Sequence, residues 1–291
     1  MIFSIEKESY ISHDSFSFIE ATESPLFISS PHSGRVYPSQ FINQTKLPFL
    51  DLQKMEDRFV DQILEDVPHN DIGLIKALFA RSYCDVNRDW RELDPTLFTP
   101  PLDAKNLLIT QRVQAGYGVI PRCVGPGKVI YSHTLPVEDA EKRLGLYWSP
   151  FHTKLYEALR VIYQKFGFAV LFDIHSMPPL FQTRKCDIVL GNRHGRSCSP
   201  ALLRFVQLAF EERGYNVQIN SPYAGGFITH YYGMPHKHFH SLQIEICRSL
   251  YLNHATLALT RHFQTIKDDM TSILCNVSRW LLNEENRKLF L

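Results

Sequence analysis

This 291-residue sequence predicts an α/β fold, with a central sheet covered by helices. Three observations lead there. Apolar runs of strand length alternate with long stretches of helical periodicity. Several runs are apolar at nearly every position, as in Phe168-Ala169-Val170-Leu171-Phe172, which suits a strand buried on both faces. Four of the runs end in polar clusters, and the carboxyl ends of strands are where open α/β sheets hold their ligands.

The elements follow in order. Strand Pro25–Ser30 runs into Ser29-Ser30-Pro31-His32-Ser33-Gly34-Arg35. A helix over Leu50–Val67 has an apolar stripe of Leu52, Met55, Phe59, Val60, Ile63 and Val67. Strands Gly73–Arg81 and Tyr83–Asn87 come next, the second leading into Arg88-Asp89-Trp90. From Arg91 to Ser132 the composition changes. Pro95, Pro100, Pro101, Pro121 and Pro126, with several glycines, mark a long surface excursion of the kind that forms lids and binding loops. Helix Val137–Phe166 opens after Thr134, a suitable cap, and stops at Gly167. Strand Phe168–His175 ends in Asp173-Ile174-His175-Ser176, and strand Cys186–Gly191 follows. Helix Pro200–Arg213, strand Tyr215–Asn220, strand Ser241–Cys247 and a C-terminal helix from about His254 to Leu282 complete the order. With no repeat, low-complexity tract or Gly/Ser linker, residues 1–291 read as a single domain.

Composition narrows the partners. The net charge is +1, from 31 basic and 30 acidic residues, so no overall field points to nucleic acid or a membrane surface. The substrate, a small molecule, must be recognised locally. Hydrophobic residues at 44% and aromatics at 12% fit a folded globular chain. Met1–Tyr10 carries Glu6, Lys7 and Glu8 and no apolar run, which argues against a secretory signal. No uninterrupted apolar stretch is long enough to span a bilayer. The cysteines at 84, 123, 186, 198, 247 and 275 are scattered, as expected of reduced core thiols in a cytoplasmic protein.

The polar clusters carry the chemistry. His32 and His175 each stand at the end of an apolar strand, and each is followed by Ser. Two histidines in equivalent settings suit a catalytic zinc ion, which commonly takes two His and one carboxylate and keeps a position open for water. Such a centre supplies the nucleophile that amide hydrolysis needs near neutral pH. For the carboxylate, helical spacing places Glu56 within the apolar stripe of Leu50–Val67, Asp57 at its edge and Asp61 facing away. An acid within an apolar stripe asks for a buried partner, so periodicity favours Glu56. Glu245 interrupts an apolar strand, which fits either a salt bridge with Arg248 or a general base whose pKa burial tunes. Asn87 and Arg88 sit where a strand meets its loop, and Arg35, Arg193 and Arg248 lie beside other candidate loops. Arginine binds carboxylates in a bidentate fork, so several around one crevice indicate an acidic substrate. The glycines and aromatics of Tyr223–Gly233, with His230, suit either a loop closing over substrate or an ordinary aromatic turn. His236, His238 and His240 alternate as on a partly exposed edge.

In order, these motifs resemble the N-formylglutamate amidohydrolase family. The likeness runs from Pro31-His32-Ser33-Gly34 through Asp57 and Asp61, Asp85-Val86-Asn87-Arg88-Asp89, Asp173-Ile174-His175-Ser176 and Tyr223–Gly233 to Gln243-Ile244-Glu245 and Leu250-Tyr251. The resemblance implies a zinc-exopeptidase-like fold, a mixed and mostly parallel sheet flanked by helices. It further implies one Zn2+ per chain held by His32, Asp57 and His175, with Glu245 as general base and then acid. Asn87 and Arg88 would hold a substrate carboxylate, with Arg35, Arg248 and His230 as further candidates. Zinc carboxypeptidases, to which the family is related, carry a Glu three residues after the first His; here that position is Arg35. The missing ligand is therefore sought elsewhere. The resemblance favours Asp57, periodicity favours Glu56, and Asp57 is chosen. The expected reaction is removal of a formyl or short acyl group from an acidic amino acid. Alternatives are a related deacylase or carboxypeptidase-like hydrolase, or a catalytically silent binding protein. A nucleophile at Ser33 or Ser176 is disfavoured because neither lies in a G-x-S-x-G elbow.

Overall fold

A computed structural model describes residues 15–21, 23–180 and 186–291, so the reading of Met1–Tyr10 lies outside the described residues. Its frame is a seven-stranded sheet. We number its strands β1 (Phe16–Ile19), β2 (Leu26–Ser30), β3 (Gly73–Ala77), β4 (Ala169–Met177), β5 (Ile188–Gly191), β6 (Val217–Ile219) and β7 (Phe239–Cys247). Their spatial order is β1-β3-β2-β4-β7-β5-β6. Strands β3, β2, β4 and β7 run parallel, β1 lies antiparallel on β3, and β5 antiparallel on β7 with β6 parallel to it. The sheet is thus mixed and mostly parallel.

Strand alternation decides which residues become core and which become site. On β4, Val170, Phe172 and Ile174 face a core shared with helices Pro200–Glu211 and Phe263–Leu282, and Leu242, Ile244 and Ile246 of β7 join them. Ala169 and Leu171 face the other way, into a second core with helix Ser149–Phe166. Further along that second face the odd positions turn polar: Asp173 and His175 on β4, Gln243 and Glu245 on β7. The register sets Asp173 opposite Gln243 and His175 opposite Glu245.

Five expectations are corrected. Residues 50–67 are not one helix: helical turns at Phe49–Gln53 and Val60–Ile63 flank a break. There Asp57 N–H donates to His32 O (2.9 Å), and Phe59 takes a left-handed φ of 67°, with the guanidinia of Arg35 and Arg58 over its ring. Helical phase therefore says nothing about Glu56. Tyr83–Asn87 is a turn rather than a strand, because Asp85 Oδ1 captures Asn87 N–H (2.9 Å) and Asp85 N–H donates to Val119 O (2.7 Å). The excursion 91–132 contains short helices and packs Leu93, Leu97, Phe98, Val119, Ile120, Ile130 and Tyr131 into the second core. The C-terminal helix starts at Phe263, after an Asn253 side-chain turn. Helix Val137–Phe166 is continuous through a π turn and ends on left-handed Gly167, but Thr134 bonds Thr99 instead of capping it.

Two buried histidines outside the sheet's polar face give the fold an acid limit. His152 donates Nε2–H to Val86 O (2.8 Å), and His240 Nδ1 accepts Ser199 N–H (3.1 Å). Burial pushes both down to about 4. A folded pKa below the unfolded value means the unfolded chain takes up protons that the folded one refuses. The stabilisation is complete above pH ~6.5 and is lost as pH falls towards 4, by up to about 3 kcal/mol for His152. Urea midpoints should therefore drop between pH 7.5 and 4.5, and drop less in His240→Gln. An equal drop in that variant would remove His240 from the account.

Candidate metal centre

His32 follows β2, Asp57 sits in the break after Gln53, and His175 lies on β4; all three are buried. One ligand atom from each lies within 4.8 Å of the others. Asp57 Oδ2 is 2.9 Å from His175 Nδ1 and 3.5 Å from His32 Nδ1. The remaining ring nitrogens are backed by carboxylates: His32 Nε2 by Asp85 Oδ1 (2.6 Å) and His175 Nε2 by Asp173 Oδ2 (2.8 Å). A carboxylate partner fixes the proton on that nitrogen and turns the other ring nitrogen's lone pair inward. His32 Nδ1 is in fact a buried atom with no hydrogen-bond partner.

These residues fit a cation. Two imidazoles and one carboxylate, each imidazole held by a second carboxylate, form the donor set of a zinc centre with an open position. Asp57 rather than Glu56 completes it, since Glu56 is committed to Arg58 (2.7 Å) and to the Tyr37 hydroxyl. Electrostatics agree. Burial alone would raise the Asp57 carboxyl, yet its bond to His175 and the nearby His32 imidazole hold it well below the usual range. Burial would lower His175, but Asp173 and Asp57 raise it well above the usual imidazole range. Cation binding at Nδ1 therefore displaces a proton.

Around the cluster is a cavity of about 280 Å³, at the small end for ligand pockets. Glu245 lines it, accepting from Gln243 Nε2 (2.8 Å), and burial pushes its carboxyl up to about 7. Asn87 also lines it, but its amide is occupied: Nδ2 donates to Asp173 (3.2 Å) and Oδ1 accepts Ile228 N–H (2.8 Å). Arg88 donates to the carbonyls of Tyr117 (3.0 Å) and Asn87 (2.8 Å), with Asp85 at 3.9 Å. Arg248 bonds Asp57 Oδ1 (3.1 Å), Ser176 Oγ (3.0 Å) and Lys54 O (2.9 Å), so it holds the carboxylate in place.

Two nominated residues are not brought to the cavity. Arg35 forms a bidentate pair with Asp61 (3.2 and 2.7 Å) outside it. His230 lies exposed on the short helix Phe227–Tyr232. The loop before that helix does reach the cavity, through Tyr223 and the Gly225-Gly226 pair. A Cβ on Gly226 would stand 2.5 Å from the Asn87 amide, so only glycine lets the loop lie this close. His236, His238 and His240 do not converge; His240 is buried and His236 exposed.

Sequence reasoning did not nominate Arg81, Arg112, Gln243, Asp85 or Asp173. Asp173 and Gln243 carried a usable signal, standing two residues before His175 and Glu245 on the same strand face. Asp85 opens the Asp85-x-Asn87-Arg88 run. Arg112 carried none.

The sequence model of the N-formylglutamate amidohydrolase family matches residues 24–252. N-formylglutamate deformylase of Pseudomonas aeruginosa is 29% identical over 245 residues, covering 79% of this chain and 82% of that protein. The Pseudomonas putida protein of the same name is 29% identical over 235 residues, covering 78% and 82%. The crystal structure of N-formylglutamate amidohydrolase from Ralstonia eutropha JMP134 superposes with a TM-score of 0.86 at 33% identity, covering 91% of this chain and 98% of that one. A crystal structure of an Agrobacterium tumefaciens gene product shares the fold at a TM-score of 0.63 and 15% identity.

Proposed function

The chain belongs to the N-formylglutamate amidohydrolase family and is a metal-dependent amidohydrolase, and from that premise we propose that it holds one Zn2+ and hydrolyses N-formylglutamate to formate and glutamate. The observation that carries the proposal is the buried His32–Asp57–His175 cluster with Glu245 opposite His175 across the β4–β7 pair. His32 Nδ1, His175 Nδ1 and an Asp57 oxygen are the assigned ligands. Zn2+, when bound, makes water acidic enough to attack at neutral pH and polarises the scissile carbonyl.

The chain's own groups do the rest. Glu245, in its carboxylate form, accepts the proton of the attacking water and returns it to the departing amine. Its carboxyl is suited to both transfers, because burial places it near the working pH. Arg248 and Ser176 both bond Asp57 Oδ1, which leaves Oδ2 aimed at the two imidazoles. Arg88 supplies a fixed cation for the substrate's α-carboxylate, and Asn87 acts as scaffold by joining Asp173 to the 226–228 loop. No helix among the described residues is long and apolar enough to cross a membrane, and the small polar cavity suits a small acidic substrate.

The test is elemental analysis of the purified protein together with amine release from N-formylglutamate, with and without a chelator. About one zinc per chain and release that stops on chelation and returns with zinc are expected. Zinc without release would redirect the substrate to other acyl amino acids.

A further inference from the structure

We propose that Arg112 is the residue that reads the substrate's side-chain carboxylate and so sets the preference for an acidic amino acid. The inference rests on the reading of the substrate as an N-formyl amino acid.

It begins with the partners of the cations around the cavity, which are Arg81, Arg88, Arg112 and Arg248. Arg248 is consumed by Asp57 and Ser176. Arg81 pairs with Asp85 Oδ2 (2.8 Å), the same oxygen that lies 3.9 Å from Arg88. Arg88 otherwise bonds only neutral carbonyls. Among the described residues Arg112 has no ion pair or side-chain hydrogen bond, though it is exposed on the cavity wall. Glu92, the nearby acid, is taken by Thr110 Oγ (2.7 Å) and Asp89 N–H (3.1 Å). The wall thus holds more positive charge than its own carboxylates answer.

Arg112 is also presented rather than loose. It lies on the helical turn Gln111–Gln114, capped by Thr110 Oγ on Val113 N–H (3.2 Å). Val113 is buried beside it, and Arg112 O accepts Tyr117 N–H (2.7 Å). Tyr117 O in turn accepts from Arg88 Nε (3.0 Å), so the backbone of the Arg112 turn is tied to Arg88 through Tyr117. The electrostatics agree in direction: Arg88, lowered mainly by burial, is lowered further by the positive charges of Arg81 and Arg112. Arg81 and Arg88 are mostly buried around Asp85, the carboxylate that backs His32, whereas Arg112 is exposed on the cavity wall. In a formylated glutamate the amide, the α-carboxylate and the side chain branch from Cα. With the amide at the cluster and the α-carboxylate on Arg88, the second carboxylate needs another cation on the wall, and among the described residues Arg112 is the unpaired one. A charge-assisted fork on an otherwise unpaired guanidinium discriminates acid from amide by roughly 10- to 100-fold.

The experiment compares zinc-loaded wild type, Arg112→Gln and Arg112→Lys. Each is assayed on N-formylglutamate and its neutral isostere N-formylglutamine, and calorimetry gives affinities for glutamate and glutamine. In wild type the acid should win by roughly 10- to 100-fold in kcat/KM. In Arg112→Gln that ratio should collapse through KM, as expected for lost ground-state binding, with Arg112→Lys intermediate. Should wild type hydrolyse neither compound, the substrate reading fails, yet the glutamate-to-glutamine affinity ratio still decides about Arg112. A ratio that survives Arg112→Gln, an equal fall on acid and amide, or a wild type with no preference in either readout overturns the assignment.

Discussion

Glu245→Gln should retain its zinc and its fold while kcat falls by roughly 10²- to 10⁴-fold, the usual contribution of a positioned general base. The substitution is isosteric, so it tests proton transfer with little change in shape. Glu245 is 8% exposed and accepts one hydrogen bond, from Gln243 Nε2 at 2.8 Å. A glutamine there keeps an oxygen for that bond but cannot take a proton from water. It also removes a buried charge that desolvation resists, so the variant should be at least as stable as wild type. Loss of kcat with retained metal and a retained or raised urea midpoint is therefore the expected pattern. Turnover within a few-fold of wild type would remove Glu245 from the chemistry.

His175→Ala should release the metal and abolish activity together. The ring is one of the three proposed ligands, with its Nε2 held by Asp173 at 2.8 Å, so its loss takes away one of the two imidazole donors. Two ligands rarely hold a catalytic zinc in competition with a chelator. The variant also leaves Asp57 and Asp173 buried without the imidazole that neutralised them, which should lower stability by roughly 3 to 5 kcal/mol. Metal content by elemental analysis and a urea melt read the two effects separately. Full zinc occupancy in the folded variant would mean that His175 is not a ligand.

Much of the architecture was legible because the two central strands are nearly all apolar on one face, and because His32, His175 and Glu245 interrupt runs where an unpartnered polar group is costly. Residues 50–67 misled because the apolar spacing is helical on both sides of a break that long-range contacts impose: the His32 carbonyl on Asp57 N–H and the Arg35 guanidinium over Phe59. Those partners are distant in sequence or act through the backbone, so periodicity cannot report them. Tyr83–Asn87 misled for the opposite reason, a local one, since the Asp85 side chain captures the amide that a strand would have used. Arg112 was invisible because a single turn of helix in a proline-rich segment has no period to read. Its placement comes from Thr110, Val113 and Tyr117, and from the two-step link to Arg88. Arg35 and His230 were nominated by position beside a motif, which does not specify direction.

The switch from apolar to polar along one face of β4 and β7 also bears on folding fidelity. A slip of β7 by one residue would turn Glu245 and Gln243 into the core beside Ile174 and would push Leu242, Ile244 and Ile246 out towards His32, Asp57 and His175. Such a chain would lose both its core and its carboxylate. A misregistered sheet is thus unstable for the same reason that it is inactive, and quality control that senses only exposed apolar surface also screens for catalytic competence. The register of the central strands thus couples stability to the integrity of the site.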